Sequence, residues 1–119
     1  MITPNQSIAL YHLRRNPNHH KQTKHSLLSE CGERCALGLI AEAFNITVRV
    51  GNLSNGDAYN ALAEKLGTRY SLVYSLNDQF ELNYEEVADV MEEVWSAFDF
   101  NIDDLDNVLR EKKLWKYKP

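Results

Sequence analysis

Long apolar runs are missing from this chain. The longest, Ala36-Leu37-Gly38-Leu39-Ile40-Ala41, is far short of the roughly 20 residues a membrane helix needs. The first residues lack the apolar core of a secretory signal, so a leader is not expected. Cysteine is scarce: Cys31 and Cys35 are the only two. A small secreted domain would usually carry more, and C-x3-C fits neither a zinc ribbon nor a thioredoxin-like redox site. A reducing cytoplasm is therefore the expected compartment. Five glycines and three prolines among 119 residues exclude collagen-like and low-complexity readings. There is no phosphate-binding glycine loop, no dinucleotide fingerprint, no H-E-x-x-H and no EF-hand loop. No cofactor and no metal are expected.

Charge of one sign is absent from two long stretches. Residues 1–29 hold Arg14, Arg15, Lys21, Lys24 and all four histidines, without a single acid. Residues 76–106 hold eleven acids and neither lysine nor arginine. The end turns basic again with Arg110, Lys112, Lys113, Lys116 and Lys118. The sum is only −4, but the blocks make the surface dipolar. A pI near 5.5 argues against duplex DNA as a partner.

What is present reads as one domain, with 44% apolar and 25% charged residues. Residues 1–100 are expected to form the globular body, with 101–119 as an amphipathic helix and basic tail. Thr3-Pro4 starts a helix that Asn16-Pro17 ends near Arg15. A second helix is expected over Arg34–Asn45, with Cys35, Leu39 and Ala43 in register on a buried face. Gly38 within it suggests the close approach of another backbone. Ile46-Thr47-Val48-Arg49-Val50 alternates with period two and is expected to pair with residues 26–29. Asp57 is expected to cap a helix over Ala58–Leu66, stopped by Gly67. A short helix or turn over Tyr70–Leu76 is expected to break at Asn77-Asp78. Asn83-Tyr84-Glu85-Glu86 is a capping box opening a helix to about Phe98, and Asn101 opens the last helix. The fold class expected is α+β, mostly helical: four or five helices and a small two-stranded β element.

Three chemistries are weighed. Cys35 near a helix start, with His25 as base and Asp78 as third member, has the composition of a cysteine hydrolase. A buried packing thiol explains Cys35 more simply. His19, His20, His25, Cys31 and Cys35 offer zinc donors at spacings that match no standard template. Lys21, Gln22 and His25 in a polar loop, with Asn77 and Asp78, suggest a site for a nucleotide or phosphate.

Several segments, taken in order, resemble a known group. They are Lys21-Gln22, Leu27, Glu33-Arg34-Cys35-Ala36-Leu37-Gly38-Leu39, Leu76-Asn77-Asp78 and Tyr84-Glu85-Glu86-Val87-Ala88-Asp89. The group consists of small, largely uncharacterised phage, prophage and bacterial proteins that read K-Q … C-x-L-G … L-N-D … E-E-[IV]-A-D. The resemblance spans residues 21–93. Where the group usually has a second cysteine directly after the first, this chain has Ala36. The resemblance implies a phage-type accessory protein and brings no activity with it. The function expected is non-enzymatic. Glu85, Asp89, Glu92 and Glu93 would dock on a host protein with a basic surface, one that handles nucleic acid. The small-ligand site is the alternative, and a cysteine-dependent enzyme a weaker one. Nothing in the sequence sets the oligomeric state.

Overall fold

A computed structural model describes residues 2–51, 53–67, 70–97 and 102–112, with backbone only at 70–71 and 102–104. Six helices follow in order: α1 (Pro4–Arg15), α2 (Ala36–Ala43), α3 (Gly56–Leu66), α4 (Tyr70–Asp78), α5 (Tyr84–Ser96) and α6 (Ile102–Glu111). No helix among the described residues is long and apolar enough to cross a membrane.

Three helix starts have a local cause, whereas α3, expected to be capped by Asp57, starts at Gly56 after Asn55 with no side-chain cap bond and has Asp57 inside its first turn. Thr3 accepts a hydrogen bond from the Gln6 N–H, and the Gln6 side chain accepts in return from the Thr3 N–H, 2.9 Å away. Asn83 and Glu86 make the same reciprocal pair at α5. Both boxes satisfy amide donors that the first turn leaves free. At α2 the cap is Cys35 itself, whose sulfur accepts from the Gly38 N–H at 3.4 Å. Cys35 therefore lies just before the helix, and the expected span Arg34–Asn45 shortens at both ends. Gly67 ends α3 in a left-handed conformation, as expected of a glycine stop.

α2 is apolar almost all round, and Ala36 to Ala41 are all buried. It is the centre, with α1, α3 and α4 packed on it. α5 lies against α1 and α4 and turns Val87, Val90, Met91 and Val94 inward. α6 closes over α5, burying Leu105, Val108 and Leu109. Gln6 is a buried polar exception, and it donates to Leu66 O at the end of α3, 2.8 Å away.

The expected α+β class and its two-stranded element are overturned. Among the described residues there is no sheet, only isolated bridges of Arg34 with Gln22 and with Leu28. Residues 46–50 form no strand. Their alternation is real as far as Arg49, since Ile46 and Val48 pack on the core while Thr47 and Arg49 are exposed; it ends at Val50, which is exposed although it shares their register. The segment is strapped to the helices one bond at a time instead. Ile46 N–H donates to Ala41 O and Gly51 N–H to Leu28 O. Leu28 bridges to Arg34, and the segment reaches Leu28 only through the Gly51 N–H, so no ladder forms between residues 26–29 and 46–50. Asn77-Asp78 does not break α4 but forms its last two residues. The expected reach of α5 to Phe98 and the start at Asn101 lie outside the described residues.

Gly38 behaves as its position suggested. A Cβ there would sit 1.9 Å from Leu27 O and 2.9 Å from Leu27 C. Neither backbone atom can rotate aside. Gly38→Ala is expected to destabilise the protein by about 3 kcal/mol through overpacking. Gly56→Ala in the first turn of α3 meets nothing nearer than 4.0 Å and is expected to be neutral or to stabilise by up to about 1 kcal/mol. Urea melts of the two variants check the contrast.

Candidate functional site

The loop of residues 21–25 folds onto the end of α4, so the residues expected at a ligand site do come together. Their polar groups are turned on one another. Asn77 is 1% exposed. Its Oδ1 accepts from the Ala36 N–H at 2.9 Å and from Gln22 Nε2 at 2.6 Å. Its Nδ2 donates to Thr23 O at 2.9 Å and to Asp78 Oδ1 at 2.7 Å. Two acceptor lone pairs and two donor hydrogens are the full capacity of an amide, and all four are used. Gln22 Nε2 also donates to Leu82 O at 2.7 Å. The Asp78 carboxylate further accepts the His25 N–H, while the His25 ring stays largely exposed, 3.7 Å from Asp78 Oδ2. Lys24 pairs with Glu81 at 2.5 Å. Lys21 is exposed, and it is the one expected ligand residue whose side chain enters none of these bonds. An open groove of about 360 Å³ remains beside Gln22, Lys24, Asn77 and Glu81.

The same network fixes the backbone on either side of Cys35. Thr23 N–H donates to Arg34 O, and Arg34 N–H to Lys21 O. The Tyr84 hydroxyl lies 2.5 Å from Arg34 O and 3.2 Å from Lys21 O. Burial pushes its pKa above the ordinary tyrosine value. Cys35 is 3% exposed. Burial pushes its thiol up to about 11, and the nearby Asp78 charge adds to the shift, against hydrogen bonds from the α2 amides. A thiol so raised holds only about one thiolate in a thousand at pH 8, the reverse of an activated nucleophile. Its sulfur is spent as a helix cap. Among the described residues no group of three or more His, Cys, Asp or Glu is placed to hold a metal ion. Cys31 is exposed while Cys35 is buried, and His20 and His25 face Glu42 and Asp78.

A second polar cluster went unread in the sequence. Glu42 on α2 receives His12 Nε2 from α1 on Oε1 at 2.9 Å and His20 Nε2 from the following loop on Oε2. Arg34 Nε stands 3.8 Å from Oε2, buried and without a hydrogen bond, while its Nη1 donates to Gly38 O. Burial raises the Glu42 pKa, but hydrogen bonds from His12, His20 and Asn18 and the charge of His20 outweigh it, and the net shift is downward. The one signal in sequence was an acid in an otherwise uncharged helix.

The acidic residues expected to meet a partner share one side of α5. Glu85, Glu92 and Glu93 are exposed and Asp89 half-buried. They are not all free. Arg14 of α1 reaches Asp89 at 3.0 Å and Glu92 at 3.4 Å. Lys112 reaches Glu93 at 3.3 Å. Asp89, Glu92 and Glu93 thus share the two cations Arg14 and Lys112. Compared with known protein families, curated proteins and solved structures, the chain matches none.

Two variants read these clusters. Asn77→Ala strands the Ala36 N–H and the Gln22 amide and is expected to cost about 3 kcal/mol in a urea melt; a cost below about 1 kcal/mol would contradict the saturated network. Glu42 contributes stability above the ordinary carboxylate pKa of about 4.3, because its folded pKa is lower. That contribution is lost as pH falls through the folded value. Glu42→Gln is therefore expected to lower the melting temperature at pH 6, with the gap to wild type closing towards pH 3.

Proposed function

We propose that this is a non-enzymatic binding protein of phage or prophage type that docks the acidic side of α5 on a basic surface of a host protein, one that handles nucleic acid. The observation that carries the reading is the surplus of carboxylate on α5. Arg14 and Lys112 answer Asp89, Glu92 and Glu93, and Glu85 forms no ion pair among the described residues. Exposed pairs of this kind contribute about 0–1 kcal/mol, so their exchange for a partner's cations costs little. Like charges such as Glu85 and Asp89 lie one helical turn apart and oppose folding slightly. A row of them supports a role outside stability, where it would steer association with a positive surface.

The remaining candidates support other roles less well. Cys35 has a raised pKa and a capping duty. An anion in the groove beside Gln22 would face Glu81, and the nearest cation, Lys24, is already paired there.

Reversing Asp89 and Glu92 to lysine would repel Arg14, so a cleaner variant neutralises charge instead. Glu85→Gln with Glu93→Gln leaves the Arg14 pairs in place. Affinity capture from a bacterial lysate, with mass spectrometry, is expected to return a basic protein. Its yield should fall at least about fivefold in the double variant and fall steeply between 50 and about 500 mM salt, as exposed charges are screened. Equal capture by both proteins would remove the acidic face from the function.

A further inference from the structure

The two neighbouring arginines at the end of α1 are used differently. Arg14 is committed to Asp89 and Glu92. Arg15 forms no ion pair among the described residues; its guanidinium lies over the Tyr11 ring, 5.5 Å from the centroid. Stacking occupies the face of a guanidinium and leaves the N–H groups of its edge open for a carboxylate.

Tyr11 is 63% exposed, the most exposed large apolar side chain among the described residues, and Ile8 is 46% exposed. Both line an open groove of about 550 Å³ between α1 and the end of α2, with Ser7, His12, Ala43 and Asn45 around it. The groove has one charged residue, Glu42, and that charge is already answered by His12, His20 and Arg34. Residues 1–29 contribute no acid. The unspent charge on this side of α1 is thus positive. A groove whose apolar part is Ile8, Tyr11 and Ala43, with an arginine over the tyrosine at its margin, has the residue types of an interface hot spot.

We infer that the outer face of α1 is a second docking surface, built for an acidic, apolar-bearing segment of another protein. An apolar side chain of that segment fills the groove against Ile8 and Tyr11, and an adjacent carboxylate takes the edge of Arg15. Ile8, Tyr11 and Arg15 form no ion pair with the α5 carboxylates, so together with the docking face proposed above this surface gives the chain two partners of opposite charge.

The test titrates the intact protein against a fluorescein-labelled 14-residue alanine-based helical peptide with leucine at i, i+3 and i+7 and one glutamate beside each leucine. Its counterpart carries lysine for every glutamate. The acidic peptide is expected to bind with a Kd below about 100 μM at low salt. Tyr11→Ala and Arg15→Glu are each expected to weaken it about tenfold, with unchanged melting temperatures because both side chains are surface groups. Glu85→Gln should leave it unaffected. Absence of binding, equal binding by the lysine peptide, or equal binding by Tyr11→Ala would overturn the proposal. So would a mass that rises with protein concentration and is restored to monomer by Tyr11→Ala, which would assign the face to a second copy of the chain.

Discussion

One buried amide, Asn77, ties the structure together. It lies at the end of α4 and is bonded to the start of α2 and to Gln22 and Thr23 of the preceding loop. A polar group taken out of water costs stability unless it is fully partnered, and full partnering in turn specifies geometry. The loop could not choose its shape from local preference. Asn16, His19 and His25 all have positive φ, a conformation that L residues adopt reluctantly. The network around Asn77 and the clasp at Glu42 hold residues 16–25 in place despite that preference. The close passage of Leu27 over Gly38 completes the same arrangement on the far side of α2.

This accounts for why the motif residues look like a site in sequence. Lys21-Gln22, Cys35, Gly38, Asn77-Asp78 and Tyr84 are distant along the chain and neighbours in space, as functional residues often are. Here their polar atoms, the exposed Lys21 side chain apart, face inward to one another. The thiol caps a helix, the amide spans three segments and the phenol sits over two carbonyls. The side chains turned outward are others: carboxylates on α5, and a tyrosine with an arginine on α1.

Helix ends were the most legible part of the sequence, because their causes are local. Thr3-Pro4, Gly67 and the box at Asn83 each act within a turn. The alternation at 46–50 was equally visible but its meaning was not. Period two reports which side chains face the core; whether a strand partner exists depends on what lies beside Leu28, which is tertiary information. The hydrogen bonds of Glu42 to its histidines, of Gln6 to Leu66 and of Arg14 to α5 likewise span 22 to 78 positions, and no local pattern announces them.

Gln6 links two helix termini that have no sequence neighbourhood. Its carbonyl oxygen closes the first turn of α1, and its amide hydrogen closes on Leu66 O, where α3 ends. Helix ends normally fray independently, each on its own small free energy. Here one side chain belongs to both, so opening either end exposes the same buried amide. Fraying at α1 and at α3 becomes a single event, and amide exchange at the two ends should share one opening free energy, although sixty residues separate them.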